Sequence, residues 1–176
     1  MESYLKIRQE VPSDYDEVCE LVKASFATNS DDDGTTHEYL NELRKKDVFI
    51  PELSLIAEAE NGKIIGQIVL YKMIIKTENR NIIELLLSPV CVHPEYFRKG
   101  IARSLIRESF QIAKKMGFKA VFLCGDPNFY GKLGFKPSFE YNIFHISDVD
   151  KNAEWCMVFE LVEDALNGIM GIVDIV

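Results

Sequence analysis

The stretch HPEYFRKGIARSLI, His93 to Ile106, joins an apolar segment to an amphipathic one through a short polar turn that contains Gly100. A helix that begins directly after a buried strand points its free N–H groups at whatever lies at the carboxyl end of that strand. With a glycine for close backbone approach and the basic Arg98 and Lys99 alongside, such a turn can bind a phosphate or pyrophosphate. An ordinary turn with two solvated basic side chains is an equally good interpretation of these residues alone.

The segment before this turn, NIIELLLSPVCVHPEY, is apolar over almost its whole length. That pattern is typical of a central strand covered on both faces. Pro89 interrupts it, and proline has no N–H to give to a neighbouring strand. Pro89 therefore predicts a bulge, a kink or the end of pairing.

The segment after the turn has the 3.6-residue periodicity of a helix packed on one face. The predicted buried stripe is Ala102, Leu105, Ile106, Ser109, Ala113 and Met116, flanked by Ile101 and Phe110. Gly117 ends the helix, and FKAVFLCG then reads as a short buried strand. Two such strands on either side of a helix are expected to run parallel through a right-handed crossover.

Asp126 and Pro127 predict the start of a short helix, NFYGKL, because Asp is a favoured N-cap and Pro suits the first helical position. Gly134 ends that helix. FKPSFEYNIFHI and AEWCMVFELV predict two further strands, paired with each other. The tail EDALNGIMGIVDIV is apolar and broken by glycines, and its pattern supports no element.

Towards the N-terminus, YLKIRQEV alternates as a strand, and Ser13 with Asp16 is predicted to cap a first helix. HEYLNELRKK predicts a second helix ending near Asp47. LSLIAEAENGKIIGQIVLYKMII predicts two strands joined at Asn61-Gly62, a strong hairpin signal. The order of elements predicts one α+β domain over residues 1–176 with a mixed sheet.

The composition narrows the class of protein. The 176 residues are 47% hydrophobic and 27% charged, with a formal net charge of −8, which disfavours a nucleic-acid or anionic-membrane binder. The charged N-terminus is unlike a signal peptide, and no run is long enough for a membrane span. Four scattered cysteines without a C-x-x-C pair predict free thiols in a cytoplasmic protein, and none has a neighbouring His or Lys to favour a nucleophile.

Two motifs carry a family resemblance. VHPEYFRKGIARSLI resembles the coenzyme A pyrophosphate motif of the GNAT superfamily of acetyl-CoA-dependent N-acetyltransferases, Q/R-x-x-G-x-G/A after a strand ending in V-x-P. Gly100 and Ala102 match its two small positions, whereas Phe97 departs from the usual Gln or Arg. FYGKLGF resembles the F-Y-x-x-x-G-F signature, and LCGDPNFYGKLGFKPS a bacterial branch with G-D-P-x-Y-Y. The tail ALNGIMGIVDIV resembles the C-terminal A-L-x-G-x-x-G-x-V of that branch.

The resemblance implies a GNAT-like α+β fold, a mixed, mostly antiparallel sheet of about seven strands flanked by helices. It implies acetyl-CoA as co-substrate, with no metal, and direct acetyl transfer through a tetrahedral oxyanion. Pantetheine would pair with the free backbone of a strand splayed at Pro89. The implied coenzyme-binding residues are Val90, Cys91, Val92, Arg98, Lys99, Gly100, Ile101, Ala102 and Arg103. Most of the binding would come from backbone amides, so Phe97 costs one side-chain contact.

The resemblance also implies catalytic roles. Tyr130 matches the tyrosine that protonates the departing thiolate, although a helix tyrosine packed under the sheet is the structural alternative. Glu84 is the only carboxylate between Ile82 and Val92, and unpaired burial of a carboxylate is costly. It is the candidate general base, with Ser88 on the same strand face to orient a water. A solvated Glu84 near the strand end is the other interpretation.

The acidic stretch NSDDDGTTHEYL places Asn29, Asp31, Asp33 and Gly34 as a calcium loop does, but Leu40 stands where the loop needs a bidentate Glu. A calcium site is therefore disfavoured. The stretch is better interpreted as the connection between the first two helices, where the GNAT family shapes its acceptor pocket. Asp31, Asp32 and Asp33 could attract a cationic amine there, or simply be solvated.

The sequence thus predicts a cytoplasmic bacterial N-acetyltransferase that transfers an acetyl group from acetyl-CoA to a primary amine of a small molecule or peptide. It predicts no nucleic-acid or membrane partner, and a homodimer through the C-terminal strands is compatible with it. The alternative is a catalytically silent acyl-CoA-binding or regulatory module on the same fold, since a fold alone does not assign an activity.

Overall fold

The computed structural model describes residues 5–30 and 32–176. Its helices are α1 (Tyr15–Phe26), α2 (Thr36–Leu43), α3 (Ile101–Lys115) and α4 (Pro127–Tyr130). Its strands are β1 (Lys6–Gln9), β2 (Phe49–Glu58), β3 (Ile64–Thr77), β4 (Asn81–Val92), β5 (Ala120–Cys124), β6 (Lys136–Pro137), β7 (Ile143–His145), β8 (Cys156–Glu160) and β9 (Gly171–Val173).

These strands form one mixed sheet in the order β1-β2-β3-β4-β5-β8-β6, with β9 paired to both β3 and β7. The pairs β1–β2, β3–β9, β5–β8 and β6–β8 are antiparallel. The pairs β4–β5 and β7–β9 are parallel. The predicted α+β class and the parallel strands on either side of α3 are confirmed. The sheet has nine strands in the described residues rather than about seven.

The chain divides into two compact units, and β3 and β4 each contribute to both. The first unit comprises Met1–Leu70 and Ser88–Ile112, and the second comprises Tyr71–Leu87 and Ala113–Val176. The single domain over residues 1–176 stays a prediction.

In the first unit, a glycine on β3 sets how closely α3 approaches the sheet. A Cβ atom on Gly66 would lie 2.9 Å from Cγ2 of Ile101 and 3.0 Å from Cδ1 of Leu105. Both of these α3 side chains are buried. Because real Cβ atoms do not tolerate such contacts, Gly66 allows the first turn of α3 to pack directly on β3.

The start of the first unit differs from the predicted cap. Ser13 lies inside a 3₁₀ turn, Pro12–Asp14, and α1 begins only at Tyr15. The Asp14 carboxylate accepts from the Val11 amide at 2.8 Å, so it takes the role assigned to Ser13 and its partner Asp16. The proline at the first position explains the shift, since its fixed φ starts a tight turn.

Arginines and carboxylates join the elements of this unit. Arg8 on β1 binds Asp14 at 2.8 Å and Glu58 on β2 at 2.7 Å. Glu10 and Arg44 form a buried ion pair, and the Ser54 hydroxyl donates to Glu10 at 2.7 Å. Buried charges are tolerated when they are paired in this way.

In the second unit, β5 lies between β4 and β8, with Val121 opposite both Leu85 and Phe159. The predicted strand FKPSFEYNIFHI is wrong as one element. A 3₁₀ helix, Ser138–Tyr141, and the left-handed Asn142, with φ of 61°, divide it into β6 and β7. As a result β6 pairs with β8, as predicted, while β7 pairs with β9 from the unassigned tail.

Three boundaries also differ from the predicted ones. α2 ends at Leu43 rather than near Asp47. Met116 lies beyond the end of α3 and is 45% exposed, so it does not extend the buried stripe. β1 begins at Lys6, and Tyr4 lies outside the described residues. Within the described ranges, no helix combines the length and hydropathy needed to cross a bilayer.

Candidate active site

A short turn leads from β4 into α3, as the sequence predicts. The His93 amide donates to the carbonyl of Ile65 at 2.8 Å, which holds the end of β4 against β3. One 3₁₀ turn, Pro94–Tyr96, follows. Arg98 and Gly100 then both have left-handed backbone, with φ of 62° and 78°, just before α3 begins.

This turn leaves a row of amides free. The first N–H groups of a helix have no intrahelical partner, and in α3 these belong to Ile101, Ala102 and Arg103. Residues that alternate into left-handed backbone point successive N–H groups to one side, which makes a concave anion site. The space beside Gly100 is open, with no atom within 4 Å of where a Cβ would lie. The residues therefore fit the pyrophosphate of a nucleotide coenzyme.

The side chains of the turn add positive charge at its surface. Arg98, Lys99 and Arg103 are exposed, and the Lys99 ammonium lies 4.9 Å above the centre of the Tyr96 ring. Phe97 is 45% exposed. The Phe97 side chain has neither charge nor polar atoms. Positive charge to neutralise a phosphate would therefore come from the neighbouring basic side chains.

The strand segment predicted to contact pantetheine lies in the same unit as this turn. The Ser88–Pro89 peptide bond is cis, and β4 continues through Pro89 to Val92, while its pairing with β5 is at Leu85 and Leu86. Val90 is half-buried, and Cys91 and Val92 are buried. The contacts of Val90, Cys91 and Val92 with pantetheine stay a prediction.

The Cys91 thiol is chemically quiet. Burial raises its pKa to about 12, outweighing the effect of the Ser25 hydroxyl beside it. A thiol with that pKa stays protonated at neutral pH, and thiols react as thiolates. Any role for Cys91 in catalysis is therefore through its backbone.

Tyr130 lies in the second unit, beyond the carboxyl end of β5. The Asp126 carboxylate accepts from the Asn128 amide at 2.9 Å and Pro127 follows it, which confirms the predicted helix start. The Tyr130 ring packs against Gly125: a Cβ there would lie 2.5 Å from Cε2. It also meets the Phe135 ring edge-on at 5.7 Å.

The phenol of Tyr130 remains a proton donor. Burial raises its pKa above the usual value of 10.0. In the part of the chain that the structure describes, no group forms a hydrogen bond with its hydroxyl. A neutral hydroxyl without a protein partner can donate to a ligand.

Glu84 occupies the other end of β5. Its Oε2 accepts from the amides of Lys119 and Ala120 at 2.9 and 3.1 Å, and the residue is buried. Burial raises its pKa, against the lowering effect of these two amides. Ala120 begins β5 and Gly125 directly follows its last residue, roughly 16 Å away at 3.3 Å per residue. Glu84 and Tyr130 are therefore not brought together, and the contacts of Glu84 indicate that it fixes the start of β5.

The acidic connection before α2 uses its carboxylates locally. Asp33 accepts from the Thr35 amide at 2.9 Å, and Asp32 from the Gly34 amide at 3.0 Å. A pocket of about 310 Å³ lies here, lined by Phe26, Asp33, His37 and neighbouring residues. Among the described residues, no group of three or more His, Cys, Asp or Glu side chains could hold a metal ion. Asp31 lies outside the described residues.

Two site features were missed in the sequence. Gly125 makes the slot for the Tyr130 ring, and Gly66 admits the first turn of α3. Both residues are visible as glycines within or beside strands, which often mark a close approach of another group. The sequence does not show which group approaches.

Comparison with known proteins gives the same fold. A family model described as an acetyltransferase (GNAT) domain matches residues 6–138. The uncharacterized N-acetyltransferase YhbS of Escherichia coli (strain K12) is 27% identical over 168 residues, 96% of this chain and 94% of YhbS. The uncharacterized N-acetyltransferase YjhQ of the same strain is 36% identical over 87 residues, 49% of this chain and 48% of YjhQ.

Two crystal structures share the architecture over nearly the whole chain. Escherichia coli YhbS in complex with CoA has a TM-score of 0.85 at 24% identity, and the match covers 100% of this chain and 92% of YhbS. A GNAT family acetyltransferase from Brucella melitensis in complex with acetyl-CoA has a TM-score of 0.77 at 24% identity, covering 98% of this chain and 96% of the other. The predicted GNAT-like fold is confirmed.

Proposed function

Because the chain belongs to the GNAT family of acetyltransferases, we propose that it transfers the acetyl group of acetyl-CoA to a primary amine of a small molecule or peptide. The observation that carries this proposal is the set of free amides of Ile101, Ala102 and Arg103 at the start of α3, directly after a turn with left-handed backbone at Arg98 and Gly100. The homologous folds crystallised with CoA and acetyl-CoA support the same co-substrate. A net charge of −8 disfavours a nucleic-acid acceptor.

In the proposed mechanism, the turn before α3 binds and orients the co-substrate. Its amides and the positive end of the α3 dipole hold the pyrophosphate, while Arg98, Lys99 and Arg103 neutralise its charge. Backbone groups of Val90, Cys91 and Val92 pair with pantetheine. Acetyl-CoA supplies an activated thioester, so the main task of the protein is to position the two reactants.

Tyr130 is the proposed general acid. Its hydroxyl donates a proton to the sulfur atom as negative charge develops there. A phenol of raised pKa stays protonated until that moment, and the Gly125 slot fixes the direction of the ring. These properties support the role that the FYGKLGF motif suggested.

Glu84 is the general base that the sequence proposes, with Ser88 orienting a water. Its two bonds to the start of β5 support a structural role instead, because a carboxylate held there is distant from Tyr130. The substitution Glu84→Gln separates the two roles, because glutamine cannot act as a base.

A silent acyl-CoA-binding or regulatory module is the second candidate, and Phe97 favours it. The first motif position carries no polar side chain for the phosphates. Such a module would bind acetyl-CoA and release no free thiol with any amine.

Calorimetry and a thiol-release assay test these proposals. We expect acetyl-CoA to bind with micromolar affinity, and free thiol to appear with at least one member of a panel of primary amines, including polyamines, aminosugars and peptide N-termini. Absence of binding up to millimolar acetyl-CoA contradicts both candidates. Binding without turnover across the panel favours the silent module.

A homodimer through the C-terminal strands is also proposed. β9 is paired on both edges, with β3 and with β7, so another chain cannot add to it as a strand. An interface at β9 would therefore use its exposed face. On that face Ile172 is 47% exposed, and it lies opposite Lys76 of β3.

A further inference from the structure

Two cysteines that the proposed mechanism does not use lie side by side in the second unit. Cys124, the last residue of β5, is directly opposite Cys156, the first residue of β8. Both are free thiols, Cys124 half-buried and Cys156 buried. Directly opposite residues of an antiparallel pair point their side chains to the same face of the sheet.

The hydrogen bonds on either side fix the type of this pair. The Leu161 amide donates to the Lys119 carbonyl at 2.7 Å, and the Gly125 amide to the Trp155 carbonyl at 2.9 Å. Hydrogen-bonded and non-hydrogen-bonded pairs alternate along an antiparallel ladder. Cys124 and Cys156, next to the Gly125–Trp155 pair, therefore form a non-hydrogen-bonded pair.

That pair type suits a disulfide. Cα atoms of non-hydrogen-bonded pairs lie about 4.5 Å apart, and their side chains are the closer ones. Disulfides join Cα atoms that are about 4.4 to 6.8 Å apart. The two cysteines can therefore be bridged with little movement of β5 or β8.

The surroundings distinguish the two thiols. The Ser138 hydroxyl donates to Sγ of Cys156 at 3.2 Å. The Cys124 thiol lowers the pKa of Cys156 most, the Ser138 hydroxyl and His145 lower it further, and burial and Asp148 oppose them. The pKa of Cys124 is raised by the same contact and by burial. Of the two thiols, Cys156 therefore ionises more easily, with Cys124 beside it as a resolving thiol.

We propose that Cys124 and Cys156 form a reversible disulfide on exposure to peroxide, and that this bond regulates the turn that carries Tyr130. The regulatory part rests on the proposed function; formation of the bond does not. The half-exposed position of Cys124 leaves the bridge open to reduction by small thiols.

The chemistry balances with hydrogen peroxide as oxidant. The Cys156 thiolate attacks one peroxide oxygen, the O–O bond breaks, and the leaving hydroxide takes a proton to become water. This leaves a sulfenic acid on Cys156. Sγ of Cys124 then attacks that sulfur, the S–O bond breaks, and a second water leaves with the Cys124 proton. Two thiols are oxidised to one disulfide, and one peroxide is reduced to two waters.

The bridge would act on Tyr130 through Gly125. Gly125 follows Cys124 directly, and the Tyr130 ring packs against it. Its amide is bonded to Trp155, the residue before Cys156. A bridge between Cys124 and Cys156 therefore restrains Gly125, which supports the ring, both through Cys124 and through the bond to Trp155. A displacement of about 1 Å in a catalytic group costs roughly 100-fold in rate, so we expect kcat of the oxidised protein to fall at least about tenfold.

The test treats the full chain with hydrogen peroxide, blocks the remaining thiols, and digests without reductant. We expect a tryptic cross-link between peptides 120–132 and 152–176, lost on reduction, with Cys19 and Cys91 still blocked as free thiols. Cys19→Ser, which keeps the pair, should give the same cross-link. Cys156→Ser should give no cross-link. If this buried substitution prevents folding, Cys124→Ser, at the more exposed position, should likewise give no cross-link.

The outcomes test the disulfide, its effect on Tyr130 and the proposed function separately. Overoxidation of Cys156 without a cross-link, or a pair that stays reduced, overturns the disulfide. A cross-link that leaves kcat unchanged overturns the regulation of Tyr130. If the reduced protein acetylates no amine, the proposed function fails, and the cross-link still decides whether the site exists.

Discussion

Tyr130 combines a protonated phenol with a fixed ring direction, because its half-buried ring packs against Gly125 and desolvation raises its pKa. General acids contribute about 10²- to 10⁴-fold to a rate. We therefore predict that Tyr130→Phe lowers kcat by about 100-fold or more and leaves acetyl-CoA affinity unchanged. Steady-state thiol release and calorimetry measure the two effects.

Tyr141→Phe is the matched control for this substitution. It removes a half-buried phenol in the same unit, at the end of the 3₁₀ helix after β6, and should leave kcat unchanged. If Tyr130→Phe turned over at the wild-type rate, Tyr130 would have no part in proton transfer.

Glu84 gives a prediction in stability rather than rate. Burial raises its pKa above the usual value of 4.5, so the folded protein keeps this proton to a higher pH than the unfolded chain. Its contribution to the free energy of unfolding is therefore complete below pH 4.5 and is lost as pH rises through the folded-state pKa. The glutamine in Glu84→Gln cannot ionise, so this variant should not lose that stability as the pH rises.

We predict that the urea midpoint of Glu84→Gln, relative to that of the wild type, rises as the pH increases above about 4.5. We also predict that kcat changes by no more than a few-fold. A drop of about 100-fold in kcat, with a lost basic limb in the pH–rate profile, would instead make Glu84 the general base.

At the level of secondary-structure elements, the backbone conformation of the turn before α3 can be tested by adding one methyl group, as alanine, at Gly100. Gly100 has φ of +78°, and a Cβ there would meet nothing within 4 Å, so alanine is strained without clashing. Gly117 at the other end of α3 has φ of +96° and is equally open. We predict that Gly100→Ala and Gly117→Ala both lower the free energy of unfolding by about 1 kcal/mol.

Only Gly100→Ala should weaken acetyl-CoA binding, by about tenfold, the loss expected for one hydrogen bond to a charged group. Thermal unfolding and calorimetry measure stability and affinity separately. Equal affinities for the two variants would move the pyrophosphate away from this turn.

The elements that the sequence predicted well are those with strong local patterns. The Asn61-Gly62 hairpin, the apolar β4, the periodic α3 and the Asp126-Pro127 start of α4 are all present. Each of these depends on a turn residue, a cap or a periodicity that neighbouring residues display.

The elements that the sequence missed are short strands held by distant partners. β6 has two residues and β9 has three, so neither shows a period. Their position depends on pairing with β8, β3 and β7, and on Asn142 adopting left-handed backbone. The turn before α3 could likewise be predicted from its motif, whereas the bonds of Glu84 to β5 depend on a strand 35 residues away.

At the scale of the whole molecule, the proposed homodimer can be tested at the exposed face of β9. Ile172 and Ile74 are exposed, and Ile172 lies opposite Lys76 on the same face. If the C-terminal strands form the dimer, Ile172→Lys should yield monomers in light scattering. Val149→Lys, at a loop residue that is 88% exposed, should leave the mass unchanged. If the wild-type protein is itself monomeric in light scattering, the proposed interface is wrong.

The placement of β9 against β3 has a consequence for how the second unit reaches its native state. Ile75 pairs with Val173, which is roughly 100 positions further along the chain, and closing a loop of that length is entropically costly. Contacts this distant in sequence slow folding. Until β9 docks, the facing edges of β3 and β7 stay open to strands of other chains. Refolding yield should therefore fall with protein concentration, and the last slow phase should report the arrival of β9.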